Sequence, residues 1–261
     1  MSKFIRYKNI EVHFDDVGQG KVVVLLHGFL ENRSMWKHLS AQLMKTHRVI
    51  RIDLLGHGKT DSLGYIHTME MMADSVYAVL KTLDIEQCIL IGHSMGGYVA
   101  LAFAEAHSNF LKGLCLMNST AQEDSVDRKL LRDRAIHVVK QNPSLFIQTS
   151  IPNLFAHENQ KKFSQEIDKL IQDALQTTPQ GIISALEGMK VRKNRVPVFK
   201  SIPCKRLLIV GKHDHILDYQ ALLLQTDKTA IEVVEFEGGH MSHIENKEEL
   251  SYNIMHFIEN I

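Results

Sequence analysis

The stretch that decides the fold is Cys88–Gly97, CILIGHSMGG. A run of large apolar residues stops abruptly in small ones, and one serine, Ser94, stands between Gly92 and Gly96, with Gly97 beside it. Gly-x-Ser-x-Gly at the junction of a strand and a helix is the pattern of a nucleophile elbow. The turn is so sharp that positions two before and two after the serine leave no room for a Cβ. It pushes the serine hydroxyl out at the carboxyl end of the strand. The next helix aims its N-terminus at the same point, which favours developing negative charge there. A lone motif of this kind arises by chance. The apolar run before it predicts a strand over 87–94, and the helical pattern after it predicts a helix over 95–108.

Outward from that turn, short apolar runs alternate with amphipathic ones. Strands are predicted at 21–28, 47–54, 111–119, 205–214 and 230–239. A hairpin occupies the first 18 residues or so, turning at Lys8-Asn9. Helices are predicted at 34–46, capped by Ser34, and at 67–84 and 246–261. Runs that are apolar almost throughout belong to strands covered on both faces, so the alternation implies a mostly parallel sheet with helices on each side. From about Thr120 to Lys200 the pattern is helical only, punctuated by Pro143, Pro152, Pro179 and Pro197. The chain therefore divides into a core over 1–119, a helical insertion over 120–200, and the rest of the core over 201–261.

The chain has 261 residues, 44% hydrophobic and 23% charged, and its 30 Lys and Arg balance 30 Asp and Glu. With no net charge, nothing points to nucleic acid or to an anionic membrane, and self-association is not opposed, so monomer and homodimer are both open. The N-terminal residues lack the apolar core of a signal peptide, and no apolar run nears the roughly 20 residues of a membrane span. Cys88, Cys115 and Cys204 are scattered and odd in number, and they lie in apolar runs. They read as buried hydrophobes of a reducing cytoplasm rather than as disulfides or zinc ligands.

A serine hydroxyl needs a general base. FEGGHMSHIE, residues 236–245, offers His240 directly after the final strand, with His243 as the alternative. An acid to orient that base is offered by LLIVGKHDHILD, residues 207–218: Asp214 just past the strand, or Asp218 a turn later. Asn118, after the preceding strand, is uncharged. Two backbone donors should hold the oxyanion: the N–H of Met95 and one from the loop HGFL, where Phe29 is the candidate and His27 a supporting residue. The histidines of HDH (213–215) and HMSH (240–243) match no zinc motif, so no metal is expected. DLLGHGKT lacks the phosphate-loop frame and reads as a tight turn at Asp53 and residues 56–58. Arg128, Arg132, Arg134, Arg192 and Arg195 could receive an anion. Interleaved acids such as Asp127 and Asp133 favour a solvated face instead. Trp36 fits either a pocket wall or helix packing.

HGFLENRSMW, DLLGHGKTDS, GHSMGG, VGKHDHI and GGHMSHIE lie in an order that resembles the α/β-hydrolase fold superfamily and spans nearly all of the chain outside 120–200. The resemblance implies an α/β-hydrolase fold with an inserted helical cap and a Ser94–Asp214–His240 triad. It also implies an oxyanion hole from Phe29 and Met95, and no cofactor. Dehalogenases and related epoxide hydrolases of this superfamily carry aspartate at the elbow, unlike this chain. The implied substrate is a small ester, thioester or lactone, free or as an acyl group on a carrier protein. C–C bond hydrolases, a menaquinone-pathway lyase and ligand receptors share the same motifs, so those activities stay open.

Overall fold

The computed structural model describes residues 3–261. Lys3–Tyr7 (β1) and Ile10–Val17 (β2) form the expected hairpin, with Lys8 at φ 54° in its turn. Val22–Leu26 (β3), Arg48–Ile52 (β4), Cys88–His93 (β5), Leu111–Met117 (β6), Lys205–Gly211 (β7) and Glu232–Phe236 (β8) follow. Each of these six lies within its predicted range and is two to five residues shorter. The eight strands form one sheet in the order β1-β2-β4-β3-β5-β6-β7-β8. β1 and β2 pair antiparallel, β2 joins β4 antiparallel, and every later pairing is parallel.

β5 is buried along its whole length, which is why its sequence shows no alternation. Helices Met69–Thr82 and Met95–Ala106 pack on one face of the sheet through Met72, Val76, Leu80, Val99 and Phe103. Lys37–Leu43 and Lys247–Glu259 cover the other through Leu39, Leu43, Leu250, Ile254 and Phe257. Trp36 is buried among this second set, so it serves packing and not a pocket wall. The first of these helices differs from expectation. A 3-10 turn, Arg33–Trp36, leads into Lys37–Leu43, and its cap is Asn32, whose side chain accepts the Ser34 N–H at 2.9 Å. An amide two residues earlier outcompetes Ser34 because its oxygen reaches that N–H across an extended Asn32 backbone.

Between β6 and β7 the described residues form helices and no strand: Val126–Gln141, Pro143–Ser150, Ser164–Ala174, Pro179–Lys190 and Val196–Ser201, with short 3-10 turns. Ser125, Asn142 and Thr178 cap three of them, and Pro143 and Pro179 each open one. This segment is locked to the core by charge. Arg195, only 2% exposed, pairs with Glu70 and Glu105 of the two core helices. The buried Arg192 and the partly buried Arg132 share Asp124. Arg132, Arg192 and Arg195 thus pair with Asp124, Glu70 and Glu105 rather than lying on a solvated face with Asp127 and Asp133, whereas Arg134 is exposed.

The elbow depends on glycine packing. A Cβ at Gly92 would run into the carbonyl of Gly96, and one at Gly96 into the carbonyls of Leu26 and His27. All of those atoms are backbone and cannot swing aside. Replacing Gly92 with Ala should lower the stability to urea by about 2–4 kcal/mol. An unchanged denaturation midpoint would contradict this account of the turn.

Candidate active site

Ser94 sits at the point where β5 becomes the helix Met95–Ala106, with φ 48° and ψ −112°. That backbone is unfavourable for any residue with a Cβ, so its surroundings must hold it. They do so on both sides. The Ser94 N–H donates to the Met117 carbonyl at 3.0 Å, tying the turn to β6. The Ser94 carbonyl accepts from Ser119 Oγ at 2.8 Å and from the Gly97 N–H at 2.9 Å.

Ser94 Oγ lies 2.8 Å from His240 Nε2, and His240 Nδ1 lies 2.7 Å from Asp214 Oδ2. Asp214 follows β7, and His240 lies in the loop after β8, so three strand ends deliver the three groups to one rim of the sheet. The second oxygen of Asp214 accepts the N–H groups of Ile216 (2.8 Å) and Leu217 (3.2 Å), which fixes the carboxylate in place. Burial alone would raise its pKa. The His240 imidazole and these N–H donors outweigh that and hold it below the ordinary carboxylate value. An ionised Asp214 only accepts, so His240 keeps its hydrogen on Nδ1 and turns a lone pair on Nε2 toward the serine hydroxyl. Asp218 does something else: it caps Tyr219–Leu224, accepting the Ala221 N–H at 3.0 Å. Asn118 donates its amide to the Gly239 carbonyl at 3.1 Å and supports the histidine loop.

Met95 is the first residue of its helix, so its N–H has no acceptor within the helix. Phe29 lies in the turn after β3, where the Glu31 N–H reaches the Gly28 carbonyl at 3.3 Å and Leu30 takes φ 63°. His27 secures that turn, as its sequence position suggested. Its Nε2 accepts the Leu54 N–H at 2.9 Å, and its Nδ1 contacts the Gly28 carbonyl at 2.8 Å. The neighbouring Gly56-His57-Gly58 is indeed a turn, braced by Asp53, which accepts the Lys59 N–H at 2.9 Å and pairs with Arg33.

A cavity of about 310 Å³ opens above Ser94 and His240. Phe29, Tyr98 and Met241 of the core wall one side of it. Leu131, Phe146 and Met189 of the helical segment wall the other. Its lining is mainly apolar, but Arg128 and Arg132 also reach it. Arg132 is engaged by Asp124, whereas Arg128 donates to the Ile216 carbonyl.

Beneath this site lies a group that the sequence reading does not bring together. Glu31, His93 and His243 bring one ligand-type atom each within 4.8 Å of the others. Glu31 Oε2 is 2.7 Å from His93 Nδ1 and accepts the Gly28 N–H at 2.9 Å, and Glu31 Oε1 is 3.3 Å from His243 Nε2. His93 Nε2 faces the His240 carbonyl at 3.0 Å. His243, the alternative base, thus faces Glu31 and not Ser94. Burial pushes its pKa down to about 4, so it is neutral. Of the three, the sequence reading names only His243, as an alternative base; the signal for the other two is a histidine inside GHS and an acid after HGFL.

Comparison with known proteins agrees with this architecture. The family model described as alpha/beta hydrolase fold matches residues 21–247. An esterase from Thermogutta terrifontis, solved with malate bound, is 30% identical and superposes with a TM-score of 0.91, covering 100% of this chain and 98% of its own. The AB hydrolase superfamily protein YisY of Bacillus subtilis is 27% identical over 265 aligned positions, 96% of each chain. An uncharacterised Mycobacterium tuberculosis protein is 34% identical over 106 residues, and that match spans 31% of its length. With its sheet, its elbow and a family match over most of its length, this chain belongs to the α/β-hydrolase fold family, and it is a hydrolase by fold.

Proposed function

We propose that the chain is a serine hydrolase of small carboxylic esters, thioesters or lactones, acting through an acyl-enzyme on Ser94. The observation that carries this reading is the unbroken pair of contacts from Ser94 Oγ to His240 at 2.8 Å and from His240 to Asp214 at 2.7 Å. His240 takes the hydroxyl proton as Ser94 attacks the carbonyl carbon. Asp214 stabilises the imidazolium that forms. The N–H groups of Met95 and Phe29 receive the tetrahedral oxyanion. His240 then returns the proton to the leaving group and activates water to release the acid. None of these steps calls on a cofactor. The helices over 120–200 act as a cap whose apolar wall sets the length of the acyl group accepted. The Thermogutta esterase, alike over the whole chain, supports ester chemistry as the first choice.

A series of p-nitrophenyl esters from acetate to octanoate tests activity and pocket length together. Ser94→Ala should lower kcat by about 10⁴- to 10⁶-fold, with Asp214→Asn losing about 10⁴-fold. A Ser94→Ala protein that keeps most of its turnover contradicts the assignment.

Arg128 favours a second reading, in which the substrate carries an anionic group and the same three residues serve C–C bond cleavage or elimination. Its guanidinium reaches the cavity and is engaged by a carbonyl rather than by Asp124. Arg128→Gln should then raise KM for the half-ester of a dicarboxylic acid by about tenfold and leave neutral esters unchanged. Equal effects on both substrates count against this second reading.

A further inference from the structure

His93 stands between the base and the loop that supplies the Phe29 donor, and both of its ring nitrogens meet acceptors. The His240 carbonyl, 3.0 Å from Nε2, can only accept, so that nitrogen carries a hydrogen. Nδ1 lies 2.7 Å from Glu31 Oε2, and a carboxylate oxygen that already takes the Gly28 N–H also accepts. Two lone pairs do not approach this closely, so something positive lies between them. The separation selects a proton over a metal ion. Bonds of about 2.0–2.1 Å at a tetrahedral angle would hold two ligand atoms roughly 3.3 Å apart. Gly28 fits the same arrangement, since a Cβ there would strike both the Glu31 carboxylate and the His93 ring.

We propose that Glu31 and His93 form a buried carboxylate–imidazolium clamp that ties the oxyanion loop at Gly28 to the backbone of His240. The clamp makes both residues positioning residues for the base. This rests on the reading of Ser94 and His240 given above. One rigid link then sets the distance between the donors of the oxyanion hole and the imidazole that must serve the same carbonyl carbon.

Charge follows from the geometry. The His93 ring centroid is 5.2 Å from that of His240 and 5.4 Å from that of His243. A cation at His93 disfavours a second one on a ring this close. Glu31 balances the clamp, and Asp214, His27 and His57 are further titratable groups that act on it. Burial would drive His93 toward neutrality, but Glu31 and the His240 carbonyl overturn that and raise its pKa. Burial likewise would raise Glu31, and His93 and His243 bring it down. A glutamine at position 31 would keep the acceptor and lose the charge. Its oxygen could still accept both N–H groups, but it would carry no charge to offset the imidazolium.

The test has two arms. In the unaltered protein, ¹⁵N-histidine NMR should show both His93 ring nitrogens protonated at neutral pH, with no change on adding EDTA. In p-nitrophenyl ester hydrolysis, His93→Gln should lower kcat about 10- to 100-fold with KM changed less than about threefold. The acid limb of its kcat/KM profile should move up by about one pH unit, because a cation beside His240 is lost. Glu31→Gln combined with His93→Gln removes both charges, so the limb should return toward its original position while kcat stays low. The proposal is overturned by a bare ring nitrogen on His93, by a chelator-sensitive spectrum that betrays a metal, or by an unshifted acid limb in His93→Gln. If that variant does not fold, the NMR arm still decides. Failure of the underlying reading would look different: Ser94→Ala would retain turnover while the His93 spectrum stayed as described.

Discussion

The backbone of Ser94 is the constraint on which the molecule is organised. A non-glycine residue at φ 48° and ψ −112° stores strain on the order of 1–3 kcal/mol, and it survives only where its neighbours leave no alternative. Here β5 enters the turn buried on both faces, the helix Met95–Ala106 leaves it at once, and Gly92 and Gly96 let the two backbones touch. Relaxing that turn would swing the hydroxyl away from His240. The parallel sheet therefore serves as the frame that holds one unfavourable residue, and the ends of β7 and β8 bring acid and base to meet it.

Around that residue the charges are arranged to be few and paired. Asp214 is ionised, faces a histidine and accepts two backbone N–H groups, so its burial is compensated without a counter-ion. On the far side of His240, Glu31 and His93 form a second pair that links the loop after β3 with the histidine loop. A buried pair of this kind adds little net stability, because desolvation offsets most of the attraction; its value lies in geometry. The helical segment over the cavity follows the same logic, with Arg195 bridging two core glutamates and Asp124 gathering two arginines. The surface it turns toward Ser94 is mainly apolar, with Arg128 and Arg132 also reaching the cavity.

Much of this was legible in the sequence because it is local. The elbow needs glycines at fixed offsets from one serine. Buried parallel strands are apolar throughout, and a helical segment shows its period and its prolines. The order of Ser94, Asp214 and His240 follows from which strand ends precede them. What stayed hidden depends on contacts between distant positions. Glu31 and His93 are 62 residues apart and carry no motif between them. Arg195 looks like part of a solvated cluster until Glu70 and Glu105 arrive from other helices. The choice between Asn32 and Ser34 as a cap turned on a local backbone angle that residue preferences do not specify.

The central claim is that the buried frame makes the hydroxyl of Ser94 nucleophilic. A fluorophosphonate that mimics the tetrahedral intermediate, followed by mass spectrometry of the digested protein, tests it most directly. A single phosphonyl adduct on Ser94, abolished in Asp214→Asn or slowed by several orders of magnitude, is the predicted result. A protein that hydrolyses esters at full rate while Ser94 remains unlabelled, or that carries its adduct elsewhere, would contradict the account.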